Sequence, residues 1–512
     1  MFVVSITIFS SCKKTKLVTE ECSPALVAPC NILSFKMDGA SCALDQVSNT
    51  FFYSIKNYEI EFSPLIEITH EDLEIFINEN PISNFAINDL GLINVSEPLS
   101  IKFILCDGTE IEYQLIFTRL PIIQINTNGQ SIHNTPKTPV GFHLNDPDFV
   151  EHGLLKRETS SIAGVEIRGG SAQVHPKKSY AVELWSDSIP TEKVDISLLD
   201  MRLDDDWILD AMYIDKARMR NRVSTDIWLD FHQLHYQNLA PKAKAGTHGK
   251  FVEVFLNDDY QGLYAFTERV DRKLLKLHKF EDSDDFGFLY KSVHWENGVV
   301  WFENYFDFDP TNGYWQGWEQ KYPDTEAEGI FWEPLADFTQ FVVESSDSDF
   351  TNQVASQLHL DNAADYFIFL NLIRGDDNTG KNVFMVKYNQ SDRFFMLPWD
   401  LDGTWGRFWN GDATSPTHIL SNNLFDRLIE NDVDGFRNKL KQRWGTARNN
   451  IFTSDNIMSY FENYADVMEQ THAFERDRTK WELNNTLTEE LDFTRGWVEN
   501  RLDFLDGYFD TL

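Results

Sequence analysis

What the 512-residue sequence lacks already narrows its possible roles. It has only five cysteines and none after Cys106, so no cysteine nucleophile serves the greater part of the chain. After residue 12 no apolar run approaches the roughly 18 residues that a transmembrane helix needs. Basic residues are few, since 45 Lys and Arg stand against 81 Asp and Glu, which leaves a net charge of −36. So acidic a chain does not attract a phosphate backbone, and we expect no nucleic-acid partner.

The sequence does contain the material for packed domains. Hydrophobic residues make up 42% and aromatic residues 14% of the chain, which excludes wholesale disorder. Domains average about 150 residues, so a chain of 512 residues favours more than one. No internal repeat or low-complexity segment is visible. We therefore expect at least two globular units.

The first twelve residues, MFVVSITIFSSC, form a short apolar stretch that ends in small residues and Cys12. This pattern resembles a bacterial lipoprotein signal, which is cleaved before the cysteine and acylated on its thiol. The Lys or Arg that usually precedes such a stretch is absent. Residues 13–30 follow as a tether that is polar at its start. We therefore expect a protein of the bacterial cell envelope that contacts the membrane only through a lipid on Cys12.

The other cysteines all lie in the first part of the chain. Export would permit them to form two disulfides, and their spacing fits no zinc-binding pattern well. The sequence does not rank the three possible pairings. These cysteines are Cys22, Cys30, Cys42 and Cys106.

Two patterns divide the rest of the chain near residue 119. From residue 31 to 118, short alternating segments are separated by Asn, Asp, Gly and Pro, which predicts a small all-β sandwich of immunoglobulin-like type, with a spacer role. Residues 119–512 begin with alternating strands around one helix. They become largely helical after about residue 334, with a predicted β-hairpin among the helices. The expected fold class is α+β.

The predicted hairpin carries the residues that indicate chemistry. The sequence RGDDNTGKNVFMVKYNQSDRFFMLPWDLDGTWG places Asn382 five residues after Asp377, and Asp400 eighteen residues after the Asn. In phosphoryl transfer one carboxylate orients the attacking hydroxyl, while an amide oxygen and a second carboxylate hold magnesium. Such spacing recurs by accident in a chain with 81 acidic residues. The apolar residues around it nevertheless predict a hairpin pressed into a core, where charge is costly unless paired or metal-bound.

Five blocks of sequence, taken in order, carry a family resemblance. They are GVEIRGGSAQVHPKKSYAVELW, DDDWILDAMYIDKARMRNRVSTDIW, KFVEVFLNDDYQGLYAFTERVD, RGDDNTGKNVFMVKY and PWDLDGTWG. Together they resemble the successive motifs of the spore coat protein H (CotH) kinase family over about residues 119–510. The resemblance implies an atypical protein-kinase-like bilobal domain, with a β-rich N-lobe and a helical C-lobe. It implies that Mg-ATP is used to phosphorylate Ser or Thr hydroxyls of the protein itself or of an exported partner.

The resemblance assigns roles to the acidic residues of the hairpin region. Asp377 matches the family's catalytic aspartate and Asn382 its metal-binding asparagine. Asp400 matches the second metal ligand. Asp376 is the rival for the catalytic role, although the five-residue interval favours its neighbour. Asp402 is the rival metal ligand, and because the two positions alternate, only one readily faces the same site.

In the N-lobe the assignments are less specific. Lys178 resembles the family's phosphate-neutralising lysine, and Lys177 is its rival, expected on the opposite face of the strand. Arg168 and Ser171 lie in the turn RGGS, where glycines let backbone amides approach an anion. Glu268 falls where the lobes should join and is expected to line an adenine pocket. No G-x-G-x-x-G loop of ordinary kinases is present, so nucleotide binding depends on the resemblance.

A second hypothesis treats the chain as a catalytically silent lipoprotein of the cell surface. Residues 286–332 are rich in tryptophan, and exposed tryptophans such as Trp315 and Trp318 could stack on a glycan or a protein partner. For the kinase hypothesis, the acidic surface favours a basic or Ser/Lys-rich protein substrate. We expect a monomer in either case.

Overall fold

The computed structural model describes residues 34–512 apart from residues 70–72, 106, 155, 187–191 and 281–283. The proposed signal (1–12) with its lipidation residue Cys12, and the tether (13–30), lie outside the described residues. Cys42 is buried and free, and the other three candidates for disulfides also lie outside the description. The described chain is a mixture of strands and helices, as expected for an α+β protein.

Short strands fill the first part of the chain. They form sheets in the orders β2-β1-β6-β9, β10-β5 and β3-β4-β12-β11-β7-β8, and their inward residues share one apolar cluster. Alternation is visible in β11, where Ile101 and Phe103 are buried while their neighbours are partly exposed. The strands are β1 (Phe35–Met37), β2 (Ala40–Ser41), β3 (Ala43–Asp45), β4 (Thr50–Ser54), β5 (Glu59–Glu61), β6 (Leu65–Ile68), β7 (Leu73–Ile77), β8 (Asn80–Ile82), β9 (Ala86–Ile87), β10 (Leu92–Asn94), β11 (Leu99–Leu105) and β12 (Glu110–Thr118).

The next strands close into a barrel in the order β13-β14-β15-β16-β19-β21-β20. Neighbours are antiparallel except at the closure, where β13 pairs in parallel with β20. Apolar side chains such as Leu144, Val182 and Val254 fill the interior. The barrel strands are β13 (Ile122–Asn126), β14 (Thr138–Asn145), β15 (Glu158–Arg168), β16 (Ser179–Trp185), β19 (Asp206–Asp210), β20 (Gly249–Leu256) and β21 (Asp259–Thr267). Between β16 and β19, the short strands β17 (Ile196–Ser197) and β18 (Leu203–Asp204) form a separate antiparallel pair. The embedded helix α1 (Arg220–Phe231) precedes β20.

The first unit is packed on the barrel rather than only tethered to it. Phe52 stacks on Tyr260 with ring centroids 5.2 Å apart, and both belong to an apolar cluster with Phe255. Thr118 Oγ1 donates to the buried carboxylate of Glu253 at 3.1 Å. The two units therefore share both an apolar and a hydrogen-bonded contact.

A second sheet has the order β23-β24-β22-β25-β26. Its strands are β22 (Phe288–Ser292), β23 (Tyr314–Trp315), β24 (Trp318–Tyr322), β25 (Val383–Lys387) and β26 (Phe395–Pro398). The predicted hairpin is confirmed, because β25 and β26 pair antiparallel. The tryptophan-rich segment supplies the three other strands, and its Trp315, Trp318 and Trp332 are only 3%, 1% and 0% exposed. These side chains form core, so they are not the exposed stacking surface that the second hypothesis required.

Helices make up most of the remaining chain. Helix α5 is buried along nearly its whole length, which explains why its sequence NAADYFIFLNLI is apolar on every side. The helices are α2 (Arg272–Leu275), α3 (Glu333–Glu344), α4 (Asp347–Gln353), α5 (Leu360–Ile373), α6 (Asn423–Glu430), α7 (Phe436–Arg448), α8 (Ser454–Gln470), α9 (Ala473–Lys480) and α10 (Leu487–Thr511). Among the described residues, no helix has both the length and the apolar character needed to cross a bilayer.

Candidate active site

A cavity of about 390 Å³ lies between one end of the barrel and the β25–β26 hairpin. The turn after β15 and the segment after β19 form its barrel side, while β22 and the segments flanking the hairpin form the other. Both acidic and basic side chains converge on it. The charged and amide residues that line it are Arg168, Lys177, Asp210, Lys291, Glu319, Asp377, Lys381, Asn382, Asp400 and Asp402.

Asp377 reaches the cavity from a short 3₁₀ turn that follows α5. Burial raises the pKa of its carboxyl above the usual value, although Lys381, whose Nζ lies 3.1 Å from Asp377 Oδ2, opposes the change. The neighbouring Asp376 is paired with Arg374, whose Nε lies 3.2 Å from Asp376 Oδ2, and it does not line this cavity. Of the two adjacent aspartates, only Asp377 lines this cavity, while both line a small adjoining pocket with Asp400 and Asp402.

Asn382 and Asp400 lie together at the open end of the hairpin. The backbone N–H of Trp399 donates to the carbonyl of Asn382 at 3.0 Å, and Asn382 Nδ2 donates to Asp400 Oδ2 at 3.3 Å. Both residues have left-handed backbones, with φ of 58° and 59°. Such conformations are costly outside glycine and are retained where the surroundings hold them, often at functional sites. The hairpin thus places the Asn382 amide, through its nitrogen, directly beside the Asp400 carboxylate.

Two further aspartates crowd the same space. Burial, together with the negative charges of Asp400 and Asp210, raises the pKa of Asp402 well above its usual value. The pKa of Asp210 is also raised, chiefly by burial. A bound divalent cation would offset the repulsion between these neighbouring carboxylates. The side chains offer oxygen atoms, which are the ligands that Mg²⁺ prefers. The residues present therefore fit a magnesium ion.

Two cations flank this acidic group. The Arg168 guanidinium and the Lys291 ammonium lie 5.8 Å and 5.5 Å from the centre of the Trp399 ring. Burial lowers the pKa of Lys291 to about 8 and also lowers that of Arg168. Sequence reasoning missed Lys291, although a lysine in the otherwise apolar strand FLYKS is a usable signal. An anionic ligand would find both charges beside the aspartates.

The structure does not bring Lys178 to the cavity. Its ammonium donates to the backbone carbonyls of Gln173 and His175 within its own turn, whereas Lys177 lines the cavity. The prediction assumed strand alternation through both lysines, but residues 171–174 form a 3₁₀ helix and β16 begins only at Ser179. Alternation therefore does not apply at these positions, and the site lysine on this side is Lys177.

Lys177 is held in place by an ion pair across the fold. Its Nζ lies 2.6 Å from Asp477 Oδ1 of α9 and also donates to the carbonyl of Leu263. Arg218 Nε lies 2.9 Å from the other oxygen of Asp477. Burial lowers the pKa of Lys177 to about 8, although the attraction of Asp477 opposes this change. Asp477 lies 300 residues from Lys177 in sequence and could not be found from local spacing.

Glu268 is likewise not a lining residue of the cavity. Its carboxylate accepts hydrogen bonds from the backbone N–H groups of His248, at 2.9 Å, and Arg202, at 3.1 Å, and pairs with Lys244 at 3.0 Å. Burial would raise its pKa, but these partners together hold it below the usual value. The Glu268 carboxylate therefore bonds to residues of the loops beside the barrel. The structure therefore does not bring Glu268 to this cavity, and its assignment to an adenine pocket stays a prediction.

The RGGS turn is present at the site, although the side chain of Ser171 is not among the described ones. Gly169 and Gly170 line the cavity together with Arg168, the last residue of β15. Gly169 has a φ of 94°, and a Cβ there would lie 2.9 Å from that of Ala172. Only glycine accommodates this backbone without strain. The turn therefore brings bare backbone to the edge of the cavity.

Comparison with known proteins agrees with this geometry. The family model described as CotH kinase protein matches residues 165–505, which include every charged and amide residue lining the cavity. The chain is also similar to the inner spore coat protein H of Bacillus subtilis (strain 168), with 21% identity over 402 residues that cover 77% of this chain and 99% of that protein. The family model covers well over half of the sequence. The chain therefore belongs to the CotH kinase protein family.

Proposed function

We propose that this protein is an atypical protein kinase that transfers the γ-phosphoryl group of Mg-ATP to Ser or Thr hydroxyls. Membership of a kinase-like family supports a phosphotransferase. The observation that carries the proposal is the single cavity that joins Asp377, Asn382 and Asp400 to Lys177, Lys291 and Arg168. Phosphoryl transfer needs positioning and charge stabilisation more than covalent chemistry, and this cavity provides both.

The acidic residues of the cavity supply the general base for the substrate hydroxyl and the ligands for the metal. Asp377 orients the hydroxyl and accepts its proton, and its raised pKa makes it a better base than an ordinary aspartate. Asn382 and Asp400 hold Mg²⁺, with Asp402 as a further ligand. The ion, when bound, neutralises charge on the nucleotide phosphates. Asp376 remains engaged by Arg374 and takes no part.

The basic side binds the phosphates. Lys177, positioned by Asp477, corresponds to the lysine that ordinary kinases pair with a carboxylate. Lys291 and Arg168 add two charges against the Trp399 ring. The bare backbone of the RGGS turn lets amides approach the phosphates without a longer glycine-rich loop.

The same proposal interprets the architecture as bilobal. The seven-stranded barrel takes the place of the N-lobe and the helices from α3 onward that of the C-lobe, with the cavity between them. The strands of residues 35–118 then form the sandwich-like unit predicted from sequence. The lipoprotein pattern at Cys12 supports a lipid-anchored protein of the cell envelope, and the net charge of −36 favours a basic protein substrate.

The silent surface lipoprotein is less well supported. Its stacking residues Trp315 and Trp318 are 3% and 1% exposed, so they offer no face to a glycan. Its strongest remaining argument is the scarcity of ATP outside the cytoplasm.

The proposal is tested by incubating the purified chain with Mg²⁺, γ-labelled ATP and a basic Ser- and Lys-rich peptide. We expect labelling of the chain or the peptide, and a fall of about 10²–10⁴-fold in rate for Asp377→Asn, the range that general base catalysis contributes. Asp376→Asn is the matched control and should keep most of the activity, because its carboxylate is bonded to Arg374. Labelling that survives Asp377→Asn unchanged would show that the assignment, or the activity, is mistaken.

A further inference from the structure

Three side chains of types that bind metals lie close together at the turn end of the β25–β26 hairpin. His235 follows α1, His359 immediately precedes α5, and Asp392 belongs to the turn between β25 and β26. One ligand atom of each lies within 4.8 Å of the corresponding atoms of the other two. None of these residues lines the nucleotide cavity. The three come from separate segments and are brought together only by the fold.

The geometry of the two imidazoles is specific. The rings are stacked with centroids 3.6 Å apart and planes inclined by 27°. His235 Nε2 lies 2.8 Å from Asp392 Oδ2, and His359 Nε2 lies 2.9 Å from Oδ1 of the same carboxylate. Each ring therefore directs its Nε2 to one of the two oxygens of the same carboxylate, and small rotations of the side chains would turn all three groups to a shared ion. Two imidazole nitrogens and one carboxylate oxygen make up a ligand set that zinc uses at sites with an open fourth position.

The backbone around the cluster holds it in place. His359 N–H donates to the carbonyl of Phe394 at 2.8 Å, and Phe394 N–H donates back to that of Gln357 at 2.7 Å. The Asp392 carboxylate also accepts the N–H of Arg393 at 2.8 Å. The side chains of His235 and Asp392 are 29% and 16% exposed and can be reached from solvent, whereas that of His359 is buried at 8%. An ion could therefore enter without unfolding.

The other clusters of acidic and histidine side chains within the described residues are less suited to a metal. Those around Asp204 and Asp205 consist only of carboxylates and are already neutralised by Lys273. The cluster at Asp146 and His152 contains one histidine and two carboxylates, one of them paired with Arg119. The His–His–Asp cluster has no such basic residue among its ion-pair partners in the described chain.

We propose that His235, His359 and Asp392 bind a divalent transition-metal ion, such as Zn²⁺, at a site separate from the nucleotide-binding cavity. The three ligands join the loop after α1, the start of α5 and the turn of the hairpin. Helix α5 leads to Asp377, and the strands of the hairpin lead to Asn382 and Asp400. A bound ion fixes these segments to one another and stabilises the folded chain by mass action. The site does not depend on the proposed kinase activity.

The test uses the untagged full-length chain, freed of metal and kept in excess Mg²⁺ so that the oxygen ligands of the cavity are occupied. Calorimetric titration with Zn²⁺ should show one tight site, and Zn²⁺ should raise the melting temperature. Loss of a residue that only hydrogen-bonds to a metal ligand weakens metal binding by up to about 100-fold. Loss of a ligand itself should cost more, so Asp392→Asn and His235→Ala should each weaken zinc binding by at least about 100-fold. Because the His235 side chain is partly exposed, we expect the His235→Ala variant to remain folded.

His418→Ala is the matched control, because His418 is an exposed histidine far along the chain from the cluster, and it should bind zinc like the wild type. Titration with Co²⁺ separates this site from the N-terminal cysteines, since thiolate ligands add an intense near-ultraviolet charge-transfer band and imidazole and carboxylate ligands do not. Zinc binding that is absent from the wild type, unchanged in both cluster variants, or accompanied by a thiolate band would overturn the proposal. Circular dichroism of each variant confirms that it is folded.

Discussion

At the scale of single residues, the choice between neighbouring side chains decides the chemistry. Lys177 and Lys178 are adjacent and chemically identical, yet one lines the cavity and the other bonds to carbonyls in its own turn. Asp376 and Asp377 differ in the same way, because Arg374 holds the first and the cavity receives the second. Such pairs give matched controls in which composition and sequence position are almost unchanged.

The two lysines lead to a direct prediction. Lys177→Met should weaken ATP binding by about 10–100-fold, which corresponds to the loss of a charge-assisted hydrogen bond to phosphate. Lys178→Met should leave the dissociation constant within about twofold, because its ammonium does not face the cavity. The measurement is calorimetric titration with a non-hydrolysable ATP analogue and Mg²⁺. Equal losses in both variants would count against Lys177 as the phosphate-binding lysine.

Lys291 leads to a prediction about pH. Burial lowers its pKa to about 8, so the ammonium that attracts phosphate is present below that pH and is lost above it. The apparent second-order rate constant kcat/KM for ATP should therefore fall as the pH rises through about 8. Lys177, whose pKa is also lowered to about 8, contributes to the same fall. Lys291→Arg retains the charge at position 291 throughout this range, so its profile should fall less steeply than that of the wild type without becoming level. A wild-type profile that stays level from pH 7 to 9.5 would contradict this role.

At the scale of elements, helix α9 connects the cavity to the rest of the molecule. Asp477 positions Lys177, while the preceding residue, Arg476, is paired with the fully buried carboxylate of Glu253 on β20 and also donates to Ser96 of the first unit at 3.2 Å. Two consecutive side chains of one helix thus reach the site lysine and the N-terminal unit. The placement of α9 therefore fixes both the position of Lys177 and a contact between the barrel and the first unit.

We expect Arg476→Ala to lower the free energy of unfolding by about 3–5 kcal/mol, because removal of one partner leaves a buried charge uncompensated. Arg478→Ala, on the same helix, breaks an exposed pair with Glu475 and should cost about 1 kcal/mol or less. Urea unfolding followed by fluorescence would measure both. A small effect of Arg476→Ala on the free energy of unfolding would indicate that the buried Glu253 carboxylate does not need Arg476 to offset its charge.

At the scale of the whole molecule, the first unit and the barrel pack against each other through a shared interface. Phe52 is 3% exposed and lies in a cluster with the barrel residues Ile122, Phe255 and Tyr260. The net charge of −36 is distributed over both units.

Phe52→Ala should destabilise the folded chain by about 3–5 kcal/mol, the usual cost of deleting a buried phenylalanine. Phe85→Ala is the control, since Phe85 is 67% exposed and its loss should change stability little. For the same reason, a fragment of residues 119–512 should melt at a lower temperature than the full chain. Identical melting of the two would show that the first unit is only a spacer.

Local pattern predicted much of this fold. The alternating segments before residue 119, the helices after about residue 334 and the hairpin at β25–β26 were all recognisable, because hydrophobic periodicity reports on short stretches of chain. The grouping of Asp377, Asn382 and Asp400 was recognisable for the same reason, since they span only 24 consecutive positions. The family resemblance over residues 119–510 agreed with the match at 165–505.

Long-range packing decided the rest. The sequence by itself determined the α+β class, the family and the grouping of Asp377, Asn382 and Asp400, because each depends on local spacing, whereas Asp210 and Glu319 reach the cavity from distant segments. Only the tertiary structure decided that Lys177 rather than Lys178 enters the cavity, that Lys291 joins it, and that Asp477 holds the lysine from 300 residues away. The closure of the barrel and the burial of Trp315, Trp318 and Trp332 were likewise decided only by the tertiary structure. Contacts between distant segments depend on how whole elements pack, and no short window of sequence contains that information.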